Sequence, residues 1–243
     1  MSEFKGKVVI VTGAGRGIGR ALSYAFAEQG AQIAANDLTP VNLDTTVERI
    51  VEAGGRASGF PADISRKMQV QQFVEEVRST FGRIDVLINN AAVAPRASLL
   101  EMDEWDWDRT LAVNLKGPFL MIQSVGRVMA DEGGGVILNM GSAQALGGVL
   151  SECGGYLASK AGLLALTRQA AVELASYNVR VNAICPQKFL ASNREPEAIS
   201  ADDSLLAGSE LLGSITDAAL YLCSDRADFV TGECLEIGGK NPA

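Results

Sequence analysis

Lys7-Val8-Val9-Ile10-Val11, followed by Thr12-Gly13-Ala14-Gly15-Arg16-Gly17-Ile18-Gly19, decides the fold. Lys7–Val11 is a short β-branched apolar run, the pattern of a buried strand, and the glycines end it at once. Gly17–Gly30 then carries Ala21, Leu22, Ala25 and Phe26 at helical spacing. Strand, glycine turn and helix in that order make an anion cradle. Glycines let a pyrophosphate approach the backbone, and the free N–H groups of the helix start favour its charge. The spacing is GxxxGxG on Gly13, Gly17 and Gly19; a GxGxxG pattern counted from Gly13 would need its third glycine at Ile18. In this setting the turn, with Gly13, Arg16, Gly17, Ile18 and Gly19, reads as a dinucleotide site.

Asp37 ends the next strand, Gln32–Asn36, and lies 18 positions after Gly19. A carboxylate there accepts hydrogen bonds from adenosine ribose hydroxyls and repels a 2′-phosphate. No Lys or Arg falls between Arg20 and Arg49 to offset it. The cofactor this predicts is NAD rather than NADP, with Arg16 the one feature leaning toward a phosphate.

Working outward, short strands alternate with helical patterns. Val41–Ala53 reads as helix, Arg56–Pro61 as strand, Lys67–Phe81 as helix and Ile84–Asn89 as strand. A long helical stretch covers about Met102–Ala130 and is expected to break near Gly117-Pro118. Then come strand Gly135–Met140, helix Tyr156–Ser176, strand Val179–Ile184, helix Thr216–Ser224 and strand Cys234–Ile237. This alternation predicts an α/β fold: a doubly wound parallel sheet in three α/β/α layers. One domain is expected over 1–243, with a dinucleotide half to about 140 and a catalytic half from about 141. The polar stretch Ala191–Ser209 reads as a loop or short lid.

Composition narrows the chemistry. The net charge of −8, without a basic cluster, argues against nucleic acid and anionic membranes. The first residues form neither a signal peptide nor a membrane span. Four cysteines without a CxxC pair read as buried thiols of a cytoplasmic protein. The chain has no histidine, which excludes a Ser-His-Asp triad, a Cys-His dyad and His-ligated zinc. Acid–base chemistry therefore falls to Tyr, Lys or a carboxylate.

Tyr156 and Lys160 are four apart at a helix start, so they share a face. An ammonium beside a tyrosine favours the phenolate, and lowering its pKa from about 10 to about 7 takes roughly 4 kcal/mol. Ser142 follows the strand ending at Met140, which sets its hydroxyl at the strand-end crevice within reach of a substrate carbonyl. Asn89-Asn90-Ala91-Ala92 ends another strand at the same edge. Asn114 sits inside a helical stretch, where Asn is disfavoured, and this hints at an internal polar role.

With TGAGRGIG at 12–19, NNAA at 89–92, Asn114, Ser142 and Tyr156-Leu157-Ala158-Ser159-Lys160, the chain resembles the short-chain dehydrogenase/reductase superfamily over nearly its whole length. By general look it is similar to the 3-oxoacyl-carrier-protein reductases. The resemblance implies a Rossmann fold in which Tyr156 is the acid/base and Ser142 orients the carbonyl. Lys160 would grip the nicotinamide ribose and lower the tyrosine pKa, and Asn114 would hold a relay water. It further implies that Asp63-Ile64 meets the adenine, that Asn90-Ala91 and Pro186 line the cofactor, and that the protein is a homodimer or homotetramer. The long helix about Met102–Ala130 and the helix from Tyr156 are the expected contact surfaces.

The pattern departs from the family after Pro186, where Gln187-Lys188-Phe189 replaces the usual Gly and Thr; no Thr follows until Thr216. This keeps open an NAD-binding partner subunit with weak catalysis. Asp131-Glu132 and Glu173 stand where carrier-protein reductases present basic residues, and acidic groups would repel an acidic carrier. The leading expectation is thus an NAD-dependent enzyme interconverting a small secondary alcohol and a ketone, ahead of a 3-oxoacyl thioester reductase.

Overall fold

A computed structural model describes residues 3–187 and 210–238. Its seven strands are β1 Val8–Thr12, β2 Gln32–Asp37, β3 Arg56–Pro61, β4 Val86–Asn89, β5 Gly135–Met140, β6 Val179–Pro186 and β7 Cys234–Ile237. They form one parallel sheet in the order β3-β2-β1-β4-β5-β6-β7. The helices are α1 Gly17–Glu28, α2 Pro40–Glu52, α3 Lys67–Phe81, α4 Glu104–Leu111, α5 Gly117–Glu132, α6 Gly154–Leu174 and α7 Glu210–Cys223.

Every residue of β1 is buried, because helices cover both faces of the sheet. Alternation along the strand divides the core. Val8 and Ile10 join Phe73, Val77, Met121 and Val125 beneath α3 and α5. Val9 and Val11 join Leu22, Phe26, Ile215 and Leu222 beneath α1 and α7. The strand order reverses between β1 and β4, so a crevice opens at the carboxyl ends of these two strands.

A polar chain crosses the interior near that edge. Asn89 Nδ2 donates to Asn139 Oδ1 at 2.9 Å, and Asn139 Nδ2 donates to Thr167 Oγ1 at 2.9 Å. Thr167 Oγ1 in turn donates to the Leu163 carbonyl at 2.8 Å. All three side chains are buried, so the chain fixes α6 against β4 and β5 at a set rotation.

The expected break at Gly117-Pro118 is not there. The helix instead widens into a π turn over Ala112–Lys116, and Pro118 sits in the first turn of α5 that follows. Proline lacks an N–H and clashes with the carbonyl four residues back; the wide turn shifts that Asn114 carbonyl, and the axis continues. The last helix begins at Glu210 rather than Thr216, and α4 begins at Glu104, where Asp103 caps it through the Trp105 N–H at 2.8 Å. The expected lid, Ala191–Ser209, lies outside the described residues, as do Lys188 and Phe189. Among the described residues no helix is long and apolar enough to cross a membrane.

Asn139→Ala strips partners from two buried groups at once, and we expect it to cost about 1–3 kcal/mol. Urea unfolding measures this; an unchanged midpoint would mean the chain contributes nothing.

Candidate active site

The turn between β1 and α1 is held open by its glycines. Gly13 has a φ of +65°, and a Cβ there would lie 2.9 Å from Ala91 Cα. A Cβ on Gly19 would run into the Gly13 carbonyl oxygen. Arg16, the N-cap, is extended at φ −160° and gives no side-chain cap, and the first turn of α1 has no acidic residue. No side chain of the N-cap and no carboxylate of the first turn thus opposes an anion at this helix start. Arg16 itself is exposed, while Gly17 and Ile18 are half-buried.

Asp37 stands at the mouth of this cradle. Its Oδ2 accepts from the Gly15 N–H at 3.0 Å and its Oδ1 from the Thr39 N–H at 3.1 Å. Asn90 clamps the other side: its Nδ2 donates to the Thr12 and Gly13 carbonyls at 2.9 and 3.2 Å. Thr12 Oγ1 receives the Asn90 and Ala91 N–H groups at 3.0 and 3.1 Å. Asp63 accepts from the Ser65 N–H at 2.9 Å and hydroxyl at 2.7 Å. Ile64 is a core residue packed under Gly117, which leaves its backbone rather than its side chain to meet a ligand.

Ser142, Tyr156 and Lys160 come together beyond the end of β5. The Tyr156 hydroxyl faces the Ser142 side chain. Lys160 Nζ lies 5.7 Å from the Tyr156 ring centroid and donates to the Met140 carbonyl at 2.6 Å. Burial pushes the Lys160 ammonium down to about 8. Burial likewise pushes the Tyr156 hydroxyl up to about 12, against the opposing influence of the Ser142 hydroxyl. Desolvation is thus the largest influence on the Tyr156 hydroxyl, while the Lys160 ammonium is turned to the Met140 carbonyl.

Asn114 lies in the π turn, fully buried. Its Oδ1 accepts from the Val93 N–H at 2.8 Å, and its Nδ2 donates to the Val93 carbonyl at 2.8 Å and Ser159 Oγ at 3.1 Å. Ser159 Oγ donates to the Tyr156 carbonyl at 2.6 Å, so Asn114 meets Tyr156 through the helix backbone. Pro186 ends β6 opposite Ile237, across the crevice from the cradle.

Of the cysteines, Cys153, Cys185 and Cys223 are buried and Cys234 is half-buried; none forms a disulfide. Cys185 and Cys234 pack against one another, and this closeness holds the Cys234 thiol down to about 7 and pushes the Cys185 thiol up. The Asp131-Glu132 surface is less free than its sequence suggests. Glu132 Oε2 accepts the Ile84 N–H at 3.1 Å and Oε1 meets Arg78 at 3.6 Å.

Four contributors were not singled out from sequence. Thr12 and Gly15 stood inside the quoted turn, Gly15 as its uncounted glycine. Arg20, which reaches the Gly15 carbonyl and Thr46 Oγ1, reads in sequence as an ordinary helix cation. Gln144 accepts the Ser142 hydroxyl at 2.9 Å, and no motif marks it.

The glycine cradle, the uncapped helix start and the carboxylate at the end of β2 fit a dinucleotide. Comparison with known proteins agrees. The family model described as enoyl-(acyl carrier protein) reductase matches residues 13–239. A D-threitol dehydrogenase of Mycolicibacterium smegmatis is 38% identical, with 96% of this chain and 92% of the relative covered. A 3-oxoacyl-[acyl-carrier-protein] reductase of Thermotoga maritima is 36% identical, with 98% of each covered. The crystal structure of an NAD+-bound xylitol dehydrogenase superposes with a TM-score of 0.84 at 30% identity, over 97% of this chain and 98% of that one. The chain therefore belongs to the short-chain dehydrogenase/reductase superfamily of NAD(P)-dependent oxidoreductases.

Proposed function

We propose that the protein is an NAD-dependent dehydrogenase that interconverts a secondary alcohol and a ketone, with a small polyol as the leading substrate class. The observation that carries the chemistry is the buried Tyr156 hydroxyl facing Ser142, with Lys160 one helical turn on, at the strand ends beside the glycine cradle. The polyol reading draws support from the threitol and xylitol dehydrogenases that the chain resembles. The carrier-protein reductase relative keeps an acyl thioester as the second reading.

Gly13, Gly17, Ile18 and Gly19 would hold the pyrophosphate, Asp37 the adenosine ribose, Asp63 and the Ile64 backbone the adenine, and Ala91, Lys160 and Pro186 the nicotinamide half. When bound, NAD supplies the hydride acceptor for the alcohol carbon, and in the reverse direction NADH supplies the hydride. Ser142 Oγ steadies the substrate oxygen. Tyr156 Oη takes the hydroxyl proton in oxidation and returns it in reduction. Lys160 stabilises the ionised Tyr156, and Asn114 fixes the first turn of α6 on which Tyr156 rides. The low-dielectric site keeps water from competing for these bonds.

Asp37 should make NAD bind at least about tenfold more tightly than NADP, a difference near 1.4 kcal/mol. Asp37→Ala should narrow that gap; equal dissociation constants in the parent protein would sink the assignment. Titration of tryptophan fluorescence with each cofactor measures both.

Tyr156→Phe removes only a hydroxyl, so folding and NAD binding should survive while kcat falls by roughly 10²–10⁴. An unchanged kcat on an active substrate would refute Tyr156 as the acid/base. Oxidation needs the phenolate, and burial raises the Tyr156 pKa, so oxidative turnover should climb with pH. Lys160→Met removes the cation that favours the phenolate; the climb should then move to higher pH, and NAD should bind more weakly.

A further inference from the structure

Ser142 has one hydroxyl proton, and in this structure the proton is committed to neither Tyr156 nor an open site. Ser142 Oγ donates it to Gln144 Oε1 at 2.9 Å. The Gln144 amide cannot turn away, because its Nε2 donates to the Gln187 carbonyl at 2.5 Å. That carbonyl is fixed in turn. The Gln187 N–H donates to the Ile237 carbonyl at 2.9 Å, and Gln187 Nε2 donates to Glu236 Oε1 at 2.6 Å. A run of hydrogen bonds thus leads from the end of β7 through the residue after Pro186 to the serine. An amide whose nitrogen is anchored to a carbonyl can offer only its oxygen at the other end. Ser142 is therefore oriented with its hydrogen toward Gln144 rather than toward Tyr156.

We propose that Gln144 is a positioning residue that holds the Ser142 proton away from Tyr156 and releases it only when a substrate oxygen or an ionised Tyr156 competes for it. The proposal rests on Tyr156 being the acid/base. Its consequence is a balance of two acceptors. A phenolate at Tyr156 gains the Ser142 hydrogen bond only by drawing it from Gln144, so a stronger acceptor at 144 disfavours the phenolate and a non-acceptor favours it. The other titratable groups facing Tyr156 are Lys160 and Cys153 on or beside α6 and Cys185 on β6; none of them is altered by a change at 144. Glu236 lies at the far end of the run, on Gln187.

Two variants of nearly constant shape make opposite predictions. Gln144→Met removes the acceptor and should lower the midpoint of the pH–rate profile for alcohol oxidation by about 0.5–1 unit. Gln144→Glu puts a carboxylate in its place and should raise the midpoint by a similar amount. The same midpoints are read without turnover from the ¹³Cζ resonance of Tyr156 in tyrosine-labelled, NAD-bound protein, assigned by its loss in Tyr156→Phe. A role confined to loop packing moves stability in both variants but does not split the midpoints in opposite directions. Midpoints within about 0.2 unit of the parent, or moved the same way in both, would overturn the proposal. Should the glutamate variant not fold, failure of Gln144→Met to lower the midpoint overturns it alone. Full turnover in Tyr156→Phe is a different failure, that of the acid/base reading itself.

Discussion

Thr12 and Asn90 join the two halves of the sheet where its strand order reverses. The threonine hydroxyl receives two backbone N–H groups from the segment after β4, and the asparagine amide returns two bonds to the carbonyls of the glycine turn. These contacts need the backbones almost in touch. The absence of a Cβ at Gly13 and Gly19 permits that approach. Any side chain at either position would separate β1 from β4 or lift α1 from its strand. The cradle, the crevice and the direction in which α1 points its first N–H groups all follow from this one close approach.

A second constraint sets the chemistry on α6. The helix carries Tyr156 and Lys160, and it is located by buried polar bonds rather than by apolar packing alone. Thr167 ties it to β5 through Asn139, and Ser159 ties its first turn to the π turn through Asn114. Apolar contacts tolerate sliding, whereas an amide with every donor and acceptor matched has one register. The buried amides thus determine where the Tyr156 oxygen lies relative to Ser142.

Much of this was legible in the sequence, for identifiable reasons. Strands such as Val8–Thr12 are β-branched runs bounded by glycine, and period and boundary agree. Asp37, Ser142, Tyr156 and Lys160 sit at element ends, where pattern and position both carry information. What escaped was set by tertiary contact. The π turn shifts the apolar stripe by one residue, a change of phase that Gly117 and Pro118 beside it obscure in the sequence; the anomaly it did leave was the asparagine at 114. Glu210–Ile215 falls outside the helix expected from Thr216, since Gly213 and Ser214 weaken the helical pattern, yet Leu212 and Ile215 are buried. Gln144 gave no signal, since its partner Gln187 is 43 residues away.

Asp37 illustrates how a fold can bind two properties into one residue. Its carboxylate faces the place where a ribose would lie, and it also holds the Gly15 N–H at 3.0 Å and so shapes the turn itself. The Arg20 guanidinium grips the carbonyl of the same glycine from the other side. On the proposed NAD reading, exchanging Asp37 for a small or basic side chain would both alter the choice of nucleotide and relax the turn that any nucleotide must use. Drift from one cofactor to the other cannot proceed by that single replacement. It requires a companion change that holds the Gly15 N–H in another way, so in lineages built this way preference should shift in paired steps, with poorly binding intermediates between them.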